Sequence, residues 1–268
     1  MLRYSVGREA LGIVRRKSDL PQTYSKHFQD AAQARQYEIG EYAPESYSSL
    51  LWEIEQLQLA AVIQRLRRSK PHIAALDFAM GTGRVASFLE TQADSVTGVE
   101  ISPEMCELAR KKIRRTEIVC ADILSPGAKF EEKFDLITAF RFFLNTEPSL
   151  RLTALKALAS RLRDRDSVLV FNNHGNLWSH KLLLWPYHFA RRIGKSRSVE
   201  GNYLTSRQLL RLLPEAGLKL VDVTGCGFYS ARILKLKSYD AALRAEKRAA
   251  GGALAPFCVN QMYITGLC

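Results

Sequence analysis

Short apolar runs alternate with amphipathic runs along most of this chain, and that alternation limits the possible folds more than any other feature. Seven apolar runs are typical of buried strands, at 73–80, 95–101, 117–123, 134–142, 167–173, 218–223 and 259–264. Runs with helical spacing of their apolar residues lie between most of them, at 84–90, 102–113, 149–162, 205–216 and 231–250. Strands separated by helices predict an α/β fold with a mostly parallel sheet and helices on both faces.

Two regions fall outside this α/β core. Residues 1–70 precede the first strand, are rich in aromatic residues and end in an amphipathic pattern from Tyr47 to Arg68, which predicts a helical N-terminal cap. Residues 176–204 mix aromatic and basic residues after the fifth strand, which is typical of a lid-like insertion and also compatible with contact at a membrane surface. We therefore expect one domain over residues 71–268, preceded by the cap.

Composition limits the class of protein and the cellular compartment in which it works. No apolar run reaches the roughly 18 to 20 residues that span a bilayer, and the basic N-terminus lacks the pattern of a secretory signal. The cysteines have no spacing typical of a zinc site or a disulfide framework, so we expect no metal and a reducing, cytoplasmic location. They are Cys106, Cys120, Cys226, Cys258 and Cys268.

The formal net charge of +12 predicts attraction to an anionic partner. The partner could be a nucleic acid, a membrane surface or a phosphorylated substrate. A charge that only keeps the protein soluble is an equally good explanation. The sequence says nothing about the oligomeric state.

A glycine-rich turn follows the first strand and leads into a helix. Gly81 and Gly83 let a ligand approach the backbone there, and Asp77 ends the strand just before them. Glu100 ends the second strand, where a carboxylate can bind ribose hydroxyls, and Asp122 ends the third. Because the carboxyl ends of parallel strands meet at one edge, these residues predict a ligand site at that edge.

In this order the motifs resemble those of the class I S-adenosylmethionine-dependent methyltransferases, over roughly residues 70–225. The stretch from Leu76 to Arg84 is similar to their first motif, Val99 to Met105 to the second, Cys120 to Ile123 to the third, and Phe134 to Phe140 to the fourth. The resemblance implies a Rossmann-like seven-stranded sheet with an antiparallel last strand, a methyltransferase domain at 71–268, and S-adenosyl-L-methionine as cofactor. It implies that the cofactor contacts Asp77, Ala79, Gly81, Gly83, Glu100, Ile101, Asp122, Ile123 and Phe140.

One residue departs from the family pattern. The commoner motif has another glycine where this chain has Ala79, and we expect alanine to be small enough to keep the turn. The competing interpretation, a dinucleotide-binding fold, needs a third glycine where this chain has Ala86.

The acceptor side carries a candidate base and three candidate contacts. His174 directly follows the fifth strand, and histidine is the side chain best tuned to accept a proton near neutral pH. A hydrogen-bonded turn residue is the alternative role for it. Arg141 and Asn145 follow the fourth strand, and we expect Tyr37 of the cap to close over the site, with packing of the cap against the core as the alternative.

The sequence thus predicts methyl transfer to oxygen or nitrogen of a small molecule, such as a sugar, a lipid-linked or a natural-product acceptor. An RNA or protein methyltransferase and a non-catalytic cofactor-binding subunit are the alternatives. Nucleic acid is not the favoured partner, since the position after the fourth strand lacks the Pro-Pro-aromatic run usual in DNA amino-methyltransferases.

Overall fold

The computed structural model describes residues 43–125, 127–182, 186, 204–250 and 253–268. The strands are β1 (Ala74–Phe78), β2 (Ser95–Glu100), β3 (Glu117–Cys120), β4 (Leu136–Ala139), β5 (Val168–Asn173), β6 (Leu218–Cys226) and β7 (Asn260–Leu267). The helices are α1 (Tyr47–Leu66), α2 (Arg84–Leu89), α3 (Pro103–Arg110), α4 (Pro148–Ala159), α5 (Ser206–Leu210), α6 (Leu212–Glu215), α7 (Ile233–Leu236) and α8 (Tyr239–Ala250). A short 3₁₀ turn, Ala255–Phe257, precedes β7.

The seven strands form one sheet in the order β3-β2-β1-β4-β5-β7-β6. Strands β1 to β5 pair in parallel, and β7 runs antiparallel to both of its neighbours, β5 and β6. The predicted fold class is confirmed, including the antiparallel last strand. The order reverses between β1 and β4, which opens a crevice at the carboxyl edge of the sheet.

Several predicted elements differ in their bounds. The third strand ends at Cys120, so Asp122 lies in the loop beyond it and not at its end. The helix predicted at 205–216 breaks at Arg211 into α5 and α6, and that predicted at 231–250 breaks into α7 and α8. Helix α3 begins as predicted, with the Ser102 side chain accepting from the backbone of Met105 and Pro103 in the first turn.

Two apolar layers cover the sheet, because alternate residues of each strand point to opposite faces. Leu76 and Phe78 of β1 belong to the layer beneath α4, α5 and α6. Ala75 of the same strand belongs to the layer beneath α1, α2 and α3. The predicted helices therefore do lie on both faces.

Helix α1 is the described part of the predicted N-terminal cap. Its C-terminal half contributes Leu59 and Ile63 to the layer on the sheet, while Leu50 and Ile54 pack with residues of α7 and α8. None of the described helices combines the length and the apolar character needed to cross a membrane. Residues 1–42, and most of the predicted lid at 176–204, lie outside the described residues, so the lid and its membrane contact stay predictions.

Ala79, the residue that replaces a family glycine, has a left-handed backbone with φ of 54°. Non-glycine residues rarely adopt this conformation, because Cβ then crowds the following carbonyl oxygen, at a cost of roughly 1–2 kcal/mol. The turn after β1 is thus kept with alanine, but at a cost in strain.

We expect Ala79→Gly to stabilise the protein by up to ~1 kcal/mol, since the relief of strain exceeds the extra entropy of the unfolded glycine. The measurement is the midpoint of thermal or urea unfolding. Ala157→Gly in the last turn of α4 is the control, and there we expect a loss of up to roughly 1 kcal/mol. Equal destabilisation by both substitutions would contradict a strained turn.

Candidate functional site

Two adjoining cavities open at the carboxyl edge of the sheet. The larger has a volume of about 660 Å³ and the smaller about 380 Å³, both within the range typical of small-molecule sites. Ala79, Glu100 and Ile101 line both. Other predicted site residues also line the larger one: Asp77, Gly81, Phe140, Arg141 and Asn145. The structure thus brings most of the predicted residues together.

Asp77 is the most deeply buried carboxylate of the larger cavity. Its Oδ1 accepts a hydrogen bond of 2.8 Å from the hydroxyl of Thr138 on β4. Its Oδ2 is buried and has no hydrogen-bond partner among the described residues. Burial raises the pKa of Asp77 to about 7, although the Thr138 bond and the charge of Arg84 act in the opposite direction.

Glu100 joins the glycine-rich turn to the end of β2. One of its carboxylate oxygens accepts from the backbone nitrogen of Gly81 at 2.9 Å, and the other from those of Ile101 and Ser102 at 2.9 and 3.0 Å. Burial raises the pKa of Glu100 in spite of these three bonds. The carboxylate therefore fixes the turn and still faces both cavities.

The two glycines of the turn do different things. Gly81 has φ of 56°, and a Cβ added there would meet no atom within 4 Å, so it leaves open space in the wall of the larger cavity. Gly83 is not among the residues that line either cavity. A Cβ on it would come within 3.2 Å of Ile113 and Ala109, so Gly83 is needed for the approach of α3 to α2.

Asp122 and Ile123 line the smaller cavity. Asp122 is exposed, and its carboxylate accepts from the backbone of Leu124 at 2.9 Å and the hydroxyl of Ser125 at 2.8 Å. It thus holds its own loop, a role that the spacing of the third motif did not indicate. Ile123 is buried beside it.

Arg141 stands on a strained backbone at the wall of the larger cavity, with φ of 58°. Two amide side chains hold that conformation. The oxygen of Asn172 accepts from the Arg141 backbone nitrogen at 2.6 Å, and Nδ2 of Asn145 donates to the Arg141 carbonyl at 2.7 Å. Asn145 therefore supports Arg141 as well as lining the cavity.

His174 is not among the residues that line either cavity. Its Nδ1 is buried without a hydrogen-bond partner among the described residues, and its carbonyl accepts from Nζ of Lys181 at 3.0 Å. Burial lowers the pKa of His174 well below its usual value, and the charges of Arg141 and Lys181 lower it further. The imidazole is therefore neutral at pH 7 and a weak base.

A buried carboxylate on α1, Glu55, ties the edge together, and sequence reasoning missed it. Its Oε1 accepts from Nδ2 of Asn172 at 2.7 Å and from Nδ2 of Asn260 at 2.8 Å. Its Oε2 lies 4.0 Å from Arg84, whose guanidinium stacks 4.1 Å from the ring centre of Trp52. The one sign of this role in the sequence is that a glutamate lies within the apolar face of a helix.

The remaining predictions for the site concern metal ions and the cap. In the described part of the chain, no group of three or more His, Cys, Asp or Glu residues could hold a metal ion. Tyr37 lies outside the described residues, so its contact with the acceptor stays a prediction.

The raised pKa of Asp77 makes the ligand-free protein sensitive to pH. Between about pH 4 and pH 7 the folded chain keeps a proton that the unfolded chain has lost, so this group lowers the stability as the pH rises. We expect Asp77→Asn to remove the effect. The stability of this variant relative to the parent should therefore increase from pH 5 to pH 8. A gain of at least ~1 kcal/mol would raise the relative Tm by about 2–4 °C.

Thermal unfolding, followed by circular dichroism at pH 5 and at pH 8, measures this change in Tm. Glu131→Gln, at an exposed position, is the matched control, and its Tm difference from the parent should be the same at both pH values. The same constancy in Asp77→Asn would show that Asp77 is not the group responsible.

Comparison with known proteins shows which proteins this chain is similar to. A family model described as a methyltransferase domain matches residues 75–165. Malonyl-[acyl-carrier protein] O-methyltransferase of Priestia megaterium (strain DSM 319 / IMG 1521) is 29% identical over 154 residues, covering 54% of this chain and 53% of the relative. The chain thus matches about half the length of that curated relative.

Solved structures share the fold at low identity. Magnesium protoporphyrin IX methyltransferase from Synechocystis PCC 6803, with bound SAH, superposes with a TM-score of 0.59 at 12% identity, over 91% of this chain and 97% of that one. N-methyltransferase NodS from Bradyrhizobium japonicum WM9, in complex with S-adenosyl-L-homocysteine, gives 0.53 at 14%, over 88% and 97%. Over residues 75–165 the chain is thus similar to a methyltransferase domain, and its sheet shares the fold of solved methyltransferases.

Proposed function

We propose that this protein transfers a methyl group from S-adenosylmethionine to oxygen or nitrogen of a small-molecule acceptor. The observation that carries the proposal is the larger cavity, which is mostly apolar, adjoins the glycine-rich turn and contains the carboxylates of Asp77 and Glu100. Concave, largely apolar sites with few polar groups are typical of small-molecule binding.

The residues present fit the cofactor that the family uses. Oδ2 of Asp77 is a buried acceptor without a partner among the described residues, which suits an ammonium group. The open space at Gly81 lets a ligand lie against backbone, and Glu100 can still accept from hydroxyls. We assign Asp77, Ala79 and Gly81 to the methionine part, and Glu100 to the ribose. Ile101, Ile123, Asp122 and Phe140 would form the adenine side.

When bound, the cofactor supplies an electrophilic methyl group on a sulfonium that leaves readily. The chain then has to orient the acceptor and exclude water, because held geometry alone contributes much of the acceleration in such displacements. The side chains of Met80, Val85 and Phe88 supply an apolar wall for this. Arg141 and Asn145 lie on the same cavity, and we assign them to the acceptor.

The name of one solved structure supports a small acceptor, since that protein is named for magnesium protoporphyrin IX. We also propose that the protein works in the cytoplasm, since Cys106, Cys120, Cys226, Cys258 and Cys268 are all unpaired thiols.

Cofactor binding is the first test. We expect Asp77→Ala and Glu100→Ala each to weaken S-adenosylmethionine binding by at least about tenfold, because each removes a charged acceptor that faces the ligand. Isothermal titration calorimetry measures it, and Glu107→Ala, at an exposed carboxylate of α3, is the matched control. Unchanged affinity in both site variants would overturn the assignment, and no binding by the folded parent protein would overturn the function.

The acceptor class is tested with labelled cofactor. Incubation with a small-molecule extract, an RNA fraction and a protein fraction, followed by mass spectrometry, should give a new methylated species only in the first. A labelled RNA or protein with no labelled small molecule would overturn the small-molecule proposal and favour the alternative that the net charge suggests.

A general base at His174 stays a prediction. If the neutral imidazole accepts the proton, activity on the acceptor found by that screen should be flat above pH 6.5. It should fall only in acid, through the lowered pKa of His174. His174→Gln should then lose at least about a hundredfold in kcat, in the range usual for a general base. Full kcat with an unchanged pH profile would remove this role.

A further inference from the structure

We propose that the carboxyl edge of the sheet binds the surface of an anionic lipid bilayer. The binding surface, here called the edge patch, combines exposed apolar side chains with exposed cations of α7 and its flanks. Its apolar members are Trp178, Tyr229, Leu236 and Phe257, and its basic members are Arg232, Lys235 and Lys237. Such binding goes beyond methyl transfer and does not depend on it.

Three segments of the chain meet at this edge: the loop after β5, the loop between β6 and α7, and the 3₁₀ turn before β7. Nδ2 of Asn176 donates to the carbonyl of Pro256 at 2.8 Å, which joins the first segment to the third. The backbone nitrogen of Val259 donates to the carbonyl of Gly227 at 3.0 Å, which joins the third to the second. The exposed aromatic residues within two positions of these bonds are Trp178, Tyr229 and Phe257.

The apolar members of the edge patch are well exposed. Leu236 is 82% exposed, Trp178 59%, Phe257 50% and Tyr229 42%. Single apolar residues are common on protein surfaces, but a group of them from joined segments marks a contact surface. Tryptophan and tyrosine are typical of the boundary between water and lipid, because each has an apolar ring with one polar group.

Helix α7 places the cations beside the aromatic residues. Its inward side chain, Ile233, is buried in one apolar cluster with Cys226 at the end of β6 and Val259 before β7. The exposed residues of α7 and its flanks include Arg232, Lys235, Leu236 and Lys237. Within the described part of the chain, none of these three cations forms a salt bridge.

The charge around the edge patch favours an anionic partner. The exposed charged residues between 228 and 250 are six cations and one carboxylate, namely Arg232, Lys235, Lys237, Arg244, Lys247, Arg248 and Asp240. A nucleic acid also attracts such cations, but the aliphatic side chain of Leu236 offers its bases no ring to stack on. An anionic bilayer attracts the cations and accepts the aliphatic side chain as well.

The edge patch and the larger cavity lie at the same edge of the sheet. Strands β5 and β6 both run antiparallel to β7, so their carboxyl ends share one edge. Strands β1 and β4, whose ends border the cavity, run parallel to β5 and end at that edge too. Binding through the edge patch therefore turns the cavity side of the protein toward the bilayer.

Vesicle flotation with the full-length protein tests this. Vesicles of phosphatidylcholine with about one-third phosphatidylserine present an anionic surface, and pure phosphatidylcholine presents a neutral one. We expect at least about tenfold more protein on the anionic vesicles, and less as salt is added, since salt screens the attraction. Equal binding to both kinds of vesicle, or no binding to the anionic ones, would overturn the proposal.

Variants then locate the surface. Leu236→Ser and Lys235→Gln should each weaken binding to anionic vesicles by about fivefold or more, because one removes apolar area and the other a charge near the lipid. Val221→Ser and Lys219→Gln are the matched controls, since both residues are exposed near the start of β6, toward the opposite edge of the sheet. Circular dichroism checks that each variant is folded. An equal loss of binding in the controls would show that the edge patch is not the binding surface.

Two other occupants of the edge patch give different results. Binding of polyuridine but not of anionic vesicles would assign the patch to a nucleic acid. A dimer in sedimentation that Leu236→Ser dissociates, with no vesicle binding, would assign it to a second copy of the chain. Either result would overturn the membrane proposal. Because S-adenosylmethionine binding is measured separately, a failure of the methyltransferase function remains distinguishable from a failure of membrane binding.

Discussion

A single buried carboxylate holds the carboxyl edge of the sheet in one arrangement. Glu55 of α1 accepts hydrogen bonds from asparagines of β5 and β7, at 2.7 and 2.8 Å, and lies 4.0 Å from Arg84 at the start of α2. A buried charge without such partners would cost several kcal/mol, and each amide left without an acceptor would add to that cost. These contacts of Glu55 therefore fix helix α1 against β5, β7 and the start of α2.

Two residues of the larger cavity, Arg141 and Asp77, depend on the contacts of Glu55. The side-chain nitrogen of Asn172 donates to Glu55 and its oxygen accepts from the Arg141 backbone nitrogen, so one side chain connects α1 to the wall of the larger cavity. Arg84 lies between Glu55 and Asp77, and its charge favours the ionised form of Asp77 against burial. Burial still raises the pKa of Asp77 to about 7, since the Thr138 bond and the charge of Arg84 offset it only in part. The cavity thus keeps an under-compensated carboxylate, which is unfavourable for the empty protein and suited to a cationic ligand.

The sequence predicted the elements that depend on residues close together in the chain. It missed the contacts between residues that are far apart in the chain. The strand–turn–helix from Ala74 to Leu89 follows from apolar periodicity and glycine spacing, and it is where predicted. Glu55 meets partners that lie 117 and 205 residues away in the chain, and no local pattern reports such a contact. The two-residue error at Asp122 has the same origin, because β3 ends where its pairing with β2 ends.

Backbone strain marks the same part of the molecule. Ala79 directly follows β1 and Arg141 closely follows β4, which are adjacent at the point where the strand order reverses. Both residues have positive φ without being glycine, and both line the larger cavity. Strain of this kind persists because the core around it is rigid: β1 and β4 are buried on both faces. The sheet therefore fixes the directions of two chain segments that would relax elsewhere, and the cavity between them takes its shape from that constraint.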